Sequence, residues 1–441
     1  MRRFALGLAA VLWGAVAGSG AGAETLTADQ MRTFGTEAVL RGYADEALGV
    51  AEALLVRDPD DSGAMTLRAQ ALRIKGDLAG SAAAARRAWD LADTKAERYA
   101  AATALAQALS LQNRRTVAQY WLRQATQNAP NAAARAQALQ DFAYVRAQNP
   151  LRMQVQASLR PSNNVNGGTR EDSFYVPIFG GIDLPYLPSD RALSGQVWAL
   201  GVSGTFKLRE TVRVQDALTF TLSGQGAALS DRSRAAAPAL RNGDFTFGQV
   251  EGGYRRKLAL ADSLITLDLT AGHSWYGGKD LADSLRGAVT LDTKGAAGVT
   301  GSLTASLDRQ VRQDRRQSSS TTYGVEGEVA AGAWKLGLDL SQAVSPDAGV
   351  ANAAGTVSLG WQAEQPVMGL NLGANVAVRF AEYESGRADR RVALGLSASV
   401  LGLAYLGFQP VLSLDAARNT STNTRFSTDT VGIGLSLTSS F

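Results

Sequence analysis

The sequence predicts an α + β multidomain chain: an N-terminal α-helical solenoid, then a C-terminal antiparallel transmembrane β-barrel of about 14 strands. Three observations predict it. Composition changes at Asn149-Pro150, from Ala, Leu, Arg, Gln and Glu to alternating Gly, Ser, Thr, Val and Leu. Before that point a turn residue recurs with a period of 34, at Gly42 and Gly76. After it, apolar and polar residues alternate with a period of two, and connections alternate short and long.

The chain divides into residues 1–23, 24–149 and 150–441. Residues 1–23 read as a secretory signal peptide: Arg2 and Arg3 form a basic start, Phe4 to Val16 an apolar run, and Ala21-Gly22-Ala23 a small-residue cleavage site before Glu24. The apolar run is too short to span a bilayer as a helix, and no run of 18 apolar residues follows it. The chain has no Cys and one His, His273. That excludes disulfides, thiol nucleophiles, thiolate metal centres and paired-His zinc motifs. The net charge is +4, and +2 once Arg2 and Arg3 are removed, which gives no basic footprint for nucleic acid.

Residues 24–149 carry three degenerate repeats. Gly42, Ala47 and Pro59 mark the first, Gly76, Ser81 and Asp93 the second, and Asn113, Ala118 and Pro130 the third. A period of 34 is that of tetratricopeptide repeats, in which a small residue lets two antiparallel helices approach. Asn113 follows Gly76 by 37, so an insertion of three is expected in the loop near Thr94-Lys95. Helices are expected near 27–41, 44–57, 61–74, 78–92, 95–111 and 115–128, with a capping helix near 131–147. A generic Ala-rich bundle is the plainer alternative. In the repeat reading, Thr36, Gln70 and Gln107 lie six residues before their turn residues and line an inner groove for an extended client; Arg73 shares the face of Gln70. A solvated helix face has the same pattern.

Strands are expected near 151–160, 195–208, 212–227, 244–256, 263–275, 284–292, 297–307, 322–331, 333–343, 355–363, 367–381, 391–402, 405–416 and 427–441. VWALGVSGTFKL sets the pattern, with Trp198, Leu200, Val202, Phe206 and Leu208 against Ser203, Thr205 and Lys207. In a soluble sandwich the apolar parity faces a protein core; in a membrane barrel it faces lipid and the polar parity faces water. The connections favour the barrel. Those at 209–210, 292–295, 331–333, 363–366 and 402–404 are short, and those at 161–194, 228–243, 308–321, 344–354, 382–390 and 417–426 are mostly long and polar. Tight turns on one rim and long loops on the other are the outer-membrane pattern. It places the barrel in the cell outer membrane, with lipid as a partner and the helical part in the periplasm. The chain ends VGIGLSLTSSF, whose alternation closes on Phe441. This resembles the C-terminal signal read by the outer-membrane assembly machinery, which favours a terminal aromatic.

No catalytic constellation is evident, so no enzyme and no cofactor or metal is expected. His273 reads as an interfacial residue beside Trp275 and Tyr276. Glu326, Glu328 and Asp339 read as lumen polarity, and DPDD at 58–61 as a repeat turn rather than a calcium loop. The run DRQVRQDRR at 308–316 reads as solvated loop charge, or as bait for an acidic partner. The segment 160–190 opens with a turn cluster at Asn163, Asn164, Asn166, Gly167 and Gly168, then an aromatic, Pro-rich stretch that reads as a long surface loop, or as one sized to fold into the lumen or cap the pore.

Repeats, a barrel of about 14 strands and PSNNVNGGT at the end of its first strand together resemble the surface lipoprotein assembly modifier family. The Asn-rich motif, with Asn163, Asn164 and Asn166, is similar to that family's segment at the start of its barrel. The resemblance implies movement or display of a client, a surface lipoprotein or a secreted protein, across the outer membrane, with the repeats engaging the client. An exopolysaccharide export porin with a tetratricopeptide domain and a general diffusion porin stand as alternatives.

Overall fold

The computed structural model describes residues 26–176, 182–400 and 402–440. The expected signal peptide and Phe441 lie outside them. The chain forms two compact units, one ending at Phe142 and the other starting at Ala143.

Among the described residues the helices before the barrel are α1 (Ala28–Arg41), α2 (Ala44–Arg57), α3 (Ser62–Lys75), α4 (Leu78–Leu91), α5 (Lys95–Leu111), α6 (Arg115–Asn128) and α7 (Ala132–Gln148). The starts of α1, α3, α4 and α5 are capped by side chains. Gln30 N–H donates to Thr27 Oγ1 (3.2 Å) while Thr27 N–H donates to Gln30 Oε1 (2.8 Å), and Thr94 with Glu97 repeats this box. Gly42, Gly76 and Asn113, the residues that define the period, have φ of +80°, +87° and +61°. The repeat is therefore a recurring left-handed turn. Five residues on, Ala47, Ser81 and Ala118 are fully buried, and Ser81 Oγ donates to the Ala69 carbonyl (2.7 Å). Small side chains there let α1 pack on α2, α3 on α4 and α5 on α6. The first helices also form a layer of their own, α1 against α3 and α3 against α5. This is a tetratricopeptide-like solenoid. The extra residues of the third copy do not sit in the loop near Thr94-Lys95. They extend α5, which has 17 residues where α3 has 14, because the run from Lys95 to Ala108 is helix-forming throughout.

The strands are β1 (Leu151–Ser162), β2 (Ser173–Val176), β3 (Ile182–Pro185), β4 (Gly195–Glu210), β5 (Val214–Leu229), β6 (Phe247–Ala259), β7 (Ser263–Tyr276) and β8 (Lys279–Lys294). They continue with β9 (Thr300–Arg312), β10 (Ser320–Ala331), β11 (Trp334–Val344), β12 (Asn352–Gln362), β13 (Leu370–Tyr383), β14 (Ala388–Val400), β15 (Gln409–Ser421) and β16 (Thr428–Ser440). Among the described residues, β1 and β4 to β16 close into one antiparallel barrel of 14 strands, and β2 pairs β3 in a separate hairpin. A short helix α8 (Asp231–Ala236) lies between β5 and β6.

The chain enters β1 and leaves β16 at the same rim, since Gln154 pairs Ser440. That rim carries the tight turns at 211–213, 260–262 and 332–333. Its connections 363–369 and 401–408 are longer than expected but still end in two-residue turns. Met368-Gly369 and Leu406-Gly407 all have positive φ, bracketed by the bridges Val367 to Leu370 and Tyr405 to Phe408. The opposite rim carries the excursions 163–194 and 230–246 and medium loops at 313–319, 345–351, 384–387 and 422–427. One of its connections is only Gly277-Gly278, both with positive φ, where the sequence gives no long polar stretch. The basic run 308–316 is divided: Asp308 to Arg312 continue β9, and only the remainder is loop. Alternation carries them in, because Arg309 and Val311 share the outward parity with Leu307.

Candidate functional site

The outward parity of the barrel strands is apolar and exposed, as at Leu222, Leu269, Leu303, Leu338, Val357 and Leu435. Trp334 and Tyr405 stand at the tight-turn rim, and Trp275, Tyr276, Tyr323 and Phe380 toward the other. A continuous apolar belt with aromatic ends is stable against hydrocarbon and not against water. One outward ion pair, missed by parity reasoning, marks the tight-turn edge: Asp216 accepts from Arg256 Nε and from Tyr254 Oη, both at 2.7 Å.

The inward parity is polar and lines the lumen. One row of cross-strand partners in register runs Thr304, Glu326, Asp339, Thr356, Arg379, Arg391 and Asn419 across β9 to β15. Two carboxylates thus face each other across β10 and β11, and two guanidinium groups across β13 and β14. Glu328, two residues from Glu326, pairs with Lys335 (2.7 Å). On the wall from β5 to β10 a recess of roughly 610 Å³ holds Glu251, Arg286, Asp308 and the ion pair Arg255–Asp268 (2.6 Å). The lumen therefore has charge of both signs, and along this row the acidic and basic pairs stand three strands apart.

The Asn-rich segment does a specific job at the long-loop rim, and its three Asn residues do different parts of it. Asn163 Oδ1 accepts from Val431 N–H (2.7 Å) on β16. Asn164, buried, donates to the Gly168 carbonyl (2.8 Å) and accepts from Gly168 N–H (2.9 Å), closing the turn. Asn166 reaches the returning leg of the loop, donating to the Arg191 carbonyl (2.8 Å) and accepting from Leu193 N–H (2.9 Å). A Cβ on Gly168 would lie 2.2 Å from the Arg191 carbonyl oxygen, so only glycine fits. Beyond the turn, Thr169 Oγ1 donates to the Thr424 carbonyl (2.6 Å), Arg170 N–H to the Ser427 carbonyl (2.8 Å), and Arg170 Nη1 to Asp429 (3.1 Å). The loop after β1 is thereby clasped to the loop before β16. Val165, Leu193, Leu229 and Ala237 pack beneath it as a small apolar cluster. The residues around the β2–β3 hairpin are tied to the rim, with Tyr186 Oη bonded to Thr424 Oγ1 (2.8 Å).

In the helical unit, Thr36, Gln70 and Gln107 fall on α1, α3 and α5, the layer of first helices. Thr36 is exposed, and its hydroxyl donates to its own helix at the Arg32 carbonyl (2.8 Å). Gln70, Arg73 and Gln107 are half-buried. The DPDD turn is structural: Asp61 caps Ala64 N–H (2.9 Å) and pairs with Arg32 of α1 (2.7 Å), and Asp60 pairs with Arg87 (2.8 Å). His273 meets Trp275 edge to face (4.4 Å between centroids, 69° between planes), but its ring nitrogens also meet Asp283 (2.6 Å) and Asp280 (3.2 Å).

These features define a class: a membrane-spanning β-barrel preceded by tetratricopeptide-like helical repeats. No family model matches the chain, and no curated protein matches it. Among solved structures the chain is similar to Acinetobacter baumannii OccAB3, at 8% identity over 66% of this chain and 98% of that one, with a TM-score of 0.36. It is similar to Pseudomonas aeruginosa OccD3 at 9% identity over 66% and 91%, with a TM-score of 0.32. It is also similar to the Yersinia enterocolitica type III secretion translocator chaperone SycD, at 17% identity over 30% and 96%, with a TM-score of 0.25. Likeness at this level assigns neither substrate nor mechanism.

Proposed function

We propose that the chain is an outer-membrane translocator that moves or displays a client, a surface lipoprotein or a secreted protein, across the outer membrane. Residues 24–149 engage the client in the periplasm, and residues 150–441 carry it past the bilayer after the assembly machinery has inserted the barrel. The observation that carries this reading is the joining, in one chain, of a layer of first helices bearing Thr36, Gln70, Arg73 and Gln107 to a barrel with a polar lumen. Half-buried amides and a guanidinium suit the backbone of an extended segment, whose carbonyl and N–H groups need partners. A plain diffusion pore gives the helical unit no work. A pore for a polymer of one charge sign favours a lumen of the opposite sign, whereas the row from Glu326 to Arg391 carries both.

The test is co-expression with a lipoprotein or small secreted protein encoded beside it, with surface exposure read by antibody labelling of intact cells. Deleting residues 24–149 is expected to abolish display while leaving the barrel inserted. Undiminished display in the deletion overturns the role given to the repeats.

A further inference from the structure

β1 is bonded unequally on its two sides. Toward β4 the register runs unbroken from Leu151↔Phe206 to Ser162↔Gly195. Toward β16, among the described residues, it runs from Gln154↔Ser440 to Leu159↔Leu435, stops, and resumes only at Ser162↔Gly432. The gap falls on Arg160 and Pro161. Pro161 has no N–H to give to either neighbour, and proline inside a ladder marks a weak or edge position. At the edge of the gap Gly432, the partner of Ser162, approaches so closely that a Cβ would lie 2.8 Å from the Pro161 carbonyl oxygen. Above the gap the seam is held by the clasp from Asn163 to Arg170 in place of a regular ladder.

A groove of roughly 620 Å³ lies beside the gap. Pro161, Ala228, Val431 and Ile433 give it an apolar lining on the lipid-facing parity, and Ser230 and Arg234 give it a polar end toward the loops. It continues the apolar belt. A lumen lined by Thr, Glu, Asp and Arg gives an acyl chain no apolar surroundings, whereas each CH₂ that reaches hydrocarbon is stabilised there.

We propose that the β1–β16 seam is a lateral gate at the long-loop rim, latched by Asn163 to Arg170, through which the acyl anchor of a lipidated client passes from lumen to bilayer by way of this groove. Its purpose rests on the client reading above; its mechanical weakness does not.

The experiment uses the full mature chain in phosphatidylethanolamine/phosphatidylglycerol liposomes and measures amide hydrogen exchange on both sides of β1. The expected result is at least about tenfold lower protection for β16 amides from Val431 to Leu437 than for β4 amides from Trp198 to Val202. Asn163→Ala with Arg170→Ala is expected to widen the difference. An oxidised Leu159→Cys/Leu435→Cys pair, unambiguous in a chain without cysteine, is expected to abolish it. Equal protection on the two sides of β1 in the unmodified chain overturns the gate, whether or not the variants fold. A labile seam in a protein whose client display survives deletion of residues 24–149 keeps the gate and removes the role of the repeats.

Discussion

Asn164→Ala tests whether the clasp is held by buried hydrogen bonds or merely by chain connectivity. The side chain makes two good bonds to one residue, donating to the Gly168 carbonyl at 2.8 Å and accepting from Gly168 N–H at 2.9 Å. Alanine removes both. The N–H keeps a longer contact with Asn166 Oδ1 (3.3 Å), but the carbonyl loses its Asn164 donor. A buried group stranded in this way costs about 1–3 kcal/mol, and the half-replaced N–H adds less, so the whole change is about 2–3 kcal/mol. Asn163→Ala removes one bond at an exposed position, where water substitutes for the Val431 N–H partner, and costs about 0.5–1 kcal/mol. Heat-modifiable gel mobility in detergent reads the stability of the closed barrel, and hydrogen exchange over 163–170 reads the turn. The expected order is wild type, then Asn163→Ala, then Asn164→Ala. An Asn164→Ala protein as stable as wild type, or less perturbed than Asn163→Ala, refutes the reasoning.

Other outcomes follow from named contacts. Arg32→Ala leaves the buried Asp61 carboxylate without its partner across α1 and α3 and should destabilise the helical unit by about 1–3 kcal/mol by chemical denaturation; Arg41→Ala, at an exposed pair on one helix, should shift it by under about 0.5 kcal/mol. Arg379→Glu with Arg391→Glu should shift bilayer conductance toward cations, read as a changed reversal potential in a salt gradient; unchanged selectivity would mean that this row does not face the conducting path. In the loop 313–319, hydrogen bonding by Arg312 holds the Asp314 carboxyl down at about 2 against an ordinary 3.8. A depressed folded pKa stabilises above the unfolded value and is lost as pH falls through the folded one, so loop order should decline between about pH 4 and pH 2. Asp314→Asn should remove that step from hydrogen exchange of the loop. Transferred to detergent-free buffer, a chain of residues 24–441 should aggregate; a dispersed monomer there would contradict the lipid-facing belt.

Both periods were legible because each is forced by burial. Ala47, Ser81 and Ala118 recur since two helices touch there, and Leu222 and Leu435 alternate with Ser223 and Ser436 since lipid and water lie on opposite faces. The sites were less legible. Asn163 and Val431 are 268 residues apart, and nothing local reveals that barrel closure makes them neighbours. Cross-strand pairs such as Arg379 and Arg391, or Asp216 and Arg256, depend on register, which parity leaves open. The extra residues in α5 lack a loop signature because they continue a good helix. The Gly277-Gly278 turn carries only its two glycines, too little to mark a boundary in so glycine-rich a region.

The lumen row that sets Glu326 and Asp339 on β10 and β11, and Arg379 and Arg391 three strands on, makes that arc of the wall an orienting field. A zwitterion drifting past would turn its ammonium end toward β10 and β11 and its carboxylate toward β13 and β14. A chain segment with interspersed Lys and Glu would be held at both pairs along that arc, whereas a uniformly charged polymer would be held by one pair and repelled by the other.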